Sequence, residues 1–319
     1  MKRLLTGILM ACGALVLIGR PGVAESGTVA RTIKVGELSR TYYLHVPPTL
    51  PKDKDLALVL MFHGGGGTPK FAERESKFSE LADREGFLVA YPEGIGKSWN
   101  DGRNEKAIVA QRDKIDDLGF VAALIDDVAR NHKVDAKRVF SAGISNGATF
   151  SHYLGANLSS RIAAIAPVIG GMPAAWSAAF KPEKPVSVLI LQSVHDPLMP
   201  YDGGDIVLPG GVKRAGIVPT DEAARKWVEH NGCQRKAVTE VMADKDPNDG
   251  CRVRKFTYSK GRDGADVVLY RIEGGGHTWP SGVQYLPERV VGRVCRDISG
   301  AEVIWEFFKA HPKPSNKER

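Results

Sequence analysis

The segment Gly143-Ile144-Ser145-Asn146-Gly147 constrains this chain more than any other. The residues before it, 138–142, read as a short buried strand, and those after it, 146–156, as a helix. A chain that passes from strand to helix within a few residues must turn sharply. Small residues on both sides of a serine let the neighbouring segments pass closely and leave its hydroxyl presented at the turn. An ordinary turn could carry the same letters, but it would not need a strand on one side and a helix on the other.

The rest of the chain repeats that alternation. Residues 28–46 read as two strands with a turn at Gly36-Glu37. Leu56–Phe62 is a seven-residue apolar run without alternation, as expected of a strand buried on both faces, and it stops at His63-Gly64-Gly65-Gly66-Gly67. Helical spacing over 71–84 precedes a buried strand at 87–91, and 118–130 reads as a helix. Strands at 163–169, 186–191 and 267–272 follow. A helix over 220–230 is capped by Thr220, with Asp221 and Glu222 at its positive end. Ser299 and Glu302 form a capping box that opens a last helix. Residues 196–219, rich in glycine and proline, read as a long surface loop. Strands alternating with helices imply one α/β domain over 25–312, a mostly parallel sheet with helices on both faces, and a flexible tail at 313–319.

The first 24 residues read as a secretory leader: a basic start at Lys2-Arg3, an uncharged apolar run over 4–18, and small residues at Gly22-Val23-Ala24. An uncleaved anchor is one alternative, and lipidation at Cys12 is another. Three basic residues and no acid leave with the leader, taking the formal charge from +7 to +4. That mild excess, with no basic patch interleaved with aromatics, does not point to nucleic acid. No later run is long enough to span a membrane. Export permits a disulfide among Cys233, Cys251 and Cys295. Cys233 and Cys251 flank a short polar excursion and are the expected pair, leaving Cys295 as a lone structural thiol; Cys251 with Cys295 is the competing pairing. No CxxC or HxxxH spacing points to a metal, and no cofactor is expected.

A serine hydroxyl is a weak nucleophile that needs a base, and the base needs a carboxylate to orient it. With the serine on a strand-to-helix turn, the expected chain order is serine, acid, histidine. His277 follows the strand 267–272 within Gly274-Gly275-Gly276-His277-Thr278-Trp279-Pro280, a glycine-rich loop that lets an imidazole reach over the sheet edge. His152 lies on the helix after Ser145, and His230 and His311 close predicted helices, so His277 is the expected base. Asp196 stands five residues beyond the strand 186–191 and is the expected acid. Asp202 and Asp205 are its rivals, and His195 is read as a bystander. The backbone N–H of Asn146 and one from the glycine run, Gly65 in preference to Gly64 or Gly66, are the expected oxyanion donors.

These segments, together with Tyr91-Pro92-Glu93-Gly94, Ser98-Trp99-Asn100 and Asp116-Asp117-Leu118-Gly119-Phe120, resemble the polyhydroxybutyrate depolymerase and feruloyl esterase group. This is the carbohydrate-esterase family 1 type of the α/β-hydrolase fold, which includes LpqC-like secreted esterases. The resemblance covers about residues 30–312. It implies cofactor-free ester hydrolysis by Ser145, Asp196 and His277, and it places Trp99, Asn100 and Trp279 near the substrate. The chain departs from the group in carrying Gln192-Ser193-Val194 where a His-Gly-Thr-type segment is frequent. It also lacks paired cysteines after Trp99-Asn100. No substrate-binding module is appended, which favours soluble esters or oligomers over a solid polymer. A peptidase on the same scaffold, or a binding protein that kept it, would share most of these features.

Overall fold

The computed structural model describes residues 27–51 and 54–314. The expected leader, with Cys12, lies outside the described residues, as does most of the expected tail.

Twelve strands are described: β1 (Gly27–Val35), β2 (Leu38–Val46), β3 (Leu56–Phe62), β4 (Leu88–Pro92), β5 (Val134–Ile144), β6 (Ala164–Val168), β7 (Ser187–Ser193), β8 (Gly204–Leu208), β9 (Val212–Ile217), β10 (Val238–Val241), β11 (Arg252–Tyr258) and β12 (Val267–Glu273). Ten of them form one sheet in the order β1-β2-β4-β3-β5-β6-β7-β12-β11-β10. The six central strands, β4 to β12 in that order, run parallel. Antiparallel pairs extend both edges. Each residue of β3, β4, β6 and β7 is buried, which explains the unbroken apolar runs of β3, β4 and β6 and of residues 188–191 in β7. Hydrophobic cores lie on both faces. One is built around Phe78, Phe140 and Trp305, and the other around Phe62, Phe150 and Trp227.

Several local expectations are revised. The single helix expected over 71–84 is two, Pro69–Ser76 and Phe78–Glu85, broken at Lys77 with φ 58°. Ser76 supplies a reason: its hydroxyl oxygen accepts the Phe78 N–H (3.4 Å), offering the backbone a partner other than the helix ladder. Thr220 is not a cap. It is the first residue of the helix Thr220–Asn231, with Pro219 at the capping position. The segment 196–219 is not all loop, because β8 and β9 pair as a hairpin within it.

The expected Cys233–Cys251 disulfide is absent, and strand register explains why. β10 pairs antiparallel with β11, Val238 facing Thr257, so the excursion folds back along the whole of β11. Cys233 therefore sits beyond the Tyr258 end, where the Gln234 N–H donates to Ser259 O (2.9 Å) and the Cys233 thiol to Ala265 O (3.3 Å). Cys251 immediately precedes the other end, at Arg252. A seven-residue strand separates its ends by roughly 20 Å, far beyond the ~7 Å between Cα atoms that a disulfide tolerates. All three cysteines are free and buried. Cys295 is not alone, since its Sγ lies within 4.8 Å of that of Cys251 and of an Asp249 oxygen. Peptide mapping of the non-reduced protein is expected to show no peptide linking Cys233 to Cys251. Such a peptide would contradict the β10–β11 register.

Candidate active site

Ser145 lies between β5 and the helix Asn146–Asn157 with φ 56° and ψ −121°, a conformation that costs a non-glycine residue on the order of 1–3 kcal/mol. The flanking glycines are required by contact. A Cβ on Gly143 would come within 2.5 Å of Gly147 O, and one on Gly147 within 2.3 Å of Phe62 O. The Ser145 N–H donates to Val168 O (3.1 Å), which anchors the turn to the end of β6.

Asp196 and His277 meet beyond the C-terminal ends of β7 and β12. The Asp196 Oδ2 to His277 Nδ1 distance is 2.7 Å, and both residues are buried. The second carboxylate oxygen, Oδ1, accepts the N–H groups of Leu198 (2.8 Å) and Met199 (2.9 Å), which fixes the carboxylate plane. Burial by itself would push the imidazole pKa down. The charge and hydrogen bond of Asp196, with a smaller contribution from Glu75, outweigh it and hold His277 above the ordinary histidine value.

The loop carrying His277 is held from several sides. The Gly276 N–H donates to Arg293 O (2.9 Å) and the His277 N–H to Val291 O (2.5 Å). A Cβ on Gly276 would stand 2.1 Å from Val291 O, so glycine is needed for that approach. Ser193, in the segment that departs from the family pattern, donates its hydroxyl to Gly275 O and ties the acid's strand to the histidine's loop. His195 is more than a bystander: its Nδ1 accepts the Gly274 N–H (3.0 Å).

The rival acids Asp202 and Asp205 are exposed, and Asp205 pairs with Lys213 (3.2 Å). His152 is buried and neutral, pushed down to about 3 by burial, with Nδ1 accepting the Trp227 indole N–H (3.1 Å).

The glycine run lies against the serine turn. A Cβ on Gly64 would be 3.3 Å from Ser145 Cβ, and one on Gly65 would be 3.7 Å from Asn146 Cβ. The Gly66 N–H donates to Lys97 O (2.8 Å) and the Gly67 N–H to Gly64 O (3.0 Å). Among the described residues no acceptor takes the Gly65 N–H. The preceding His63 clasps the loop, with Nδ1 donating to Gly64 O (2.7 Å) and Nε2 accepting the Gly94 N–H (3.1 Å). That pattern requires a neutral ring, and burial supplies one by lowering its pKa to about 4.

Trp99, Asn100 and Trp279 do not line the site, which corrects their expected role. Trp99 is fully buried and stacks on Phe150, with centroids 5.3 Å apart and planes 7° apart. Its indole N–H donates to His63 O (2.9 Å) and its backbone N–H to Asn146 Oδ1 (2.8 Å), so it supports the glycine loop from beneath. Asn100 spans the loop toward the helix Asp117–Asn131. Its N–H donates to Asp117 Oδ2 and its side-chain amide to Ile115 O. Trp279 packs edge-on to Phe78 and against Gly300. Aromatic side chains next to a catalytic motif can serve as packing beneath it as readily as contact surface.

Two recesses meet at Ser145, Gly65, His277 and Tyr285. One, of about 420 Å³, is lined by apolar side chains including Leu198, Met199 and Ile206, with Lys97, Arg103 and Arg214 also in its wall. The β8–β9 hairpin, read from sequence as loop, contributes Ile206, Leu208 and Arg214 to it. The other recess, of about 90 Å³, includes Phe71 and Glu75. Sequence reasoning missed two residues here. Asp101 is fully buried and accepts from Arg103 and Gln111 and from Asn146 Nδ2 (2.7 Å), which orients the residue after Ser145. Glu75 carried no sequence signal at all.

A family model described as esterase PHB depolymerase matches residues 40–198. "Putative esterase NocK" of Nocardia uniformis subsp. tsuyamanensis is 30% identical over 91% of this chain and 85% of its own. Feruloyl esterase B of Piromyces equi is 27% identical over 75% of this chain, a match that takes in 42% of that longer protein. Among solved structures, an acetyl xylan esterase from Aspergillus awamori superposes with TM-score 0.58 over 88% of this chain and 99% of that one. At 14% identity this is a likeness of fold. With a relative at that identity and coverage, and with a parallel sheet carrying a serine turn, the chain belongs to the esterase PHB depolymerase family, has the α/β-hydrolase fold and is a carboxylic ester hydrolase.

Proposed function

We propose that the chain is an exported serine esterase that hydrolyses carboxylic esters through an acyl-enzyme on Ser145. The observation that carries this reading is the 2.7 Å contact between Asp196 and His277, made at a recess whose wall also includes Ser145. His277 takes the Ser145 proton as the hydroxyl oxygen attacks the ester carbonyl. The developing oxyanion is stabilised by the N–H of Asn146, at the start of its helix, and by that of Gly65. His277 then gives the proton to the departing alcohol. It next activates water against the acyl-enzyme, and release of the acid restores Ser145. Asp196 holds the Nδ1–H tautomer, leaving Nε2 free to accept. No metal or cofactor enters this cycle.

Hydroxybutyrate oligomers and feruloyl- or acetyl-bearing polysaccharides are the substrates that the family and relatives suggest. Export rests on the leader-like residues 1–24, and no helix among the described residues is long and apolar enough to cross a membrane.

A fluorophosphonate probe tests the reading without knowledge of the substrate. It should label one site, mapped to the peptide containing Ser145. A base acts only when neutral, so the labelling rate should rise with pH through the His277 pKa. Because that pKa is raised, the half-maximal rate should lie above the ordinary histidine value of about 6.5. Labelling elsewhere, or none, would remove Ser145 as nucleophile.

A further inference from the structure

The smaller recess contains a carboxyl group that the proposed cycle does not use. Glu75, at the end of the helix Pro69–Ser76, is 2% exposed, and its Oε1 has no hydrogen-bond partner among the described residues. A polar atom buried unpaired costs on the order of 1–3 kcal/mol, and more when charged. Most such atoms in folded proteins are paired, so this one calls for a partner from outside the chain. Glu75 forms the wall of the recess together with Phe71, Ser145, His277 and Tyr285, beside the reacting serine. The recess offers about 90 Å³, room for roughly three water-sized groups. Tyr285 does not donate to it, because its one hydroxyl proton goes to His277 O (3.1 Å).

Building on the esterase reading above, we propose that Glu75 is a specificity-determining residue that hydrogen-bonds a hydroxyl group carried by the substrate within two or three carbons of the reacting ester. The occupant is thus a short hydroxylated chain, on the acyl or the alcohol side. The rest of the substrate takes the larger, mostly apolar recess. Burial pushes the Glu75 carboxyl up to about 7, with His277 and Arg74 opposing the rise. Near neutral pH either protonation state can accept a hydroxyl hydrogen, so the contact survives across the working range. A site built to bond a hydroxyl rejects the analogue that lacks it, because the buried acceptor is then left unpaired.

The test uses matched ester pairs that differ by one hydroxyl, one set varied in the acyl chain and one in the alcohol. The wild-type enzyme should favour the hydroxylated member of one set by about ten- to a hundredfold in kcat/KM. Glu75→Leu should abolish that preference, bringing the ratio of the two kcat/KM values to within about twofold whatever the turnover of the plain ester. Glu75→Gln, which keeps an acceptor, should retain most of it. The set that responds identifies the side of the ester that enters the recess. A wild-type preference below about twofold in both sets would overturn the proposal, whether or not the variants fold. So would a preference that Glu75→Leu leaves unchanged. In either case Ser145 labelling by the fluorophosphonate would still stand, separating this failure from failure of the esterase reading.

Discussion

Ser145→Ala should lower ester turnover by at least about a thousandfold while leaving the protein folded. The change removes one heavy atom, the hydroxyl oxygen proposed to attack the ester, and keeps the Cβ that stands beside Gly64. Alanine and serine carry the same steric cost at φ 56°, so the strained turn is neither relieved nor worsened. The backbone bonds of residue 145, its N–H to Val168 O and its carbonyl to the Thr149 N–H, are untouched. The melting temperature should therefore stay within a few degrees of wild type. Residual activity would come from the Asn146 and Gly65 N–H groups and from binding, which still favour attack by water. Steady-state assay with a nitrophenyl ester, run beside thermal unfolding, measures both quantities. Wild-type turnover in the variant would show that another group carries the acyl chain.

The serine turn and the histidine loop were legible in the sequence because their glycines answer to backbone contact, which leaves a fixed letter pattern. Gly143 and Gly147 touch carbonyl oxygens, and Gly276 packs on Val291 and Gly292. The buried strands were legible for a related reason: a strand covered on both faces has few polar positions to interrupt its run. Side-chain destinations were less legible. Trp99 belongs to a segment that resembles the esterase group, but only the fold shows that its ring stacks on Phe150 rather than facing the cleft. Cys251 finds Cys295 because β11 and β12 bring residues 251 and 273–295 to one end of the sheet, a pairing that loop length does not encode. Glu75 looked like any charged residue on a surface helix. Its burial depends on the break at Lys77 and on the approach of the loop at Gly282, where a Cβ would meet Glu75 O at 3.1 Å.

Asp196→Asn should cost about four orders of magnitude in kcat, although it preserves the shape of the site. The substituted amide would keep its oxygen toward Leu198 and Met199, whose N–H groups both point at that position and demand an acceptor. Its nitrogen would then face His277 Nδ1, and it can only donate. The imidazole must answer by presenting Nδ1 as an acceptor, which moves its one proton to Nε2. A ring in that tautomer cannot take a proton from Ser145, and it also loses the charge that stabilises the imidazolium during the reaction. Loss of that charge lowers the His277 pKa, since Asp196 is what holds it up against burial. The residual activity should accordingly show an acid limb displaced to lower pH. Asp202→Asn and Asp205→Asn provide the contrast. Both carboxylates are exposed, and the Asp205–Lys213 pair is of the surface kind that contributes little. Each should keep kcat within about twofold of wild type, as surface changes away from the reacting groups usually do. A crippled Asp202→Asn beside an active Asp196→Asn would mean that the working enzyme draws its acid from the hairpin side of the loop.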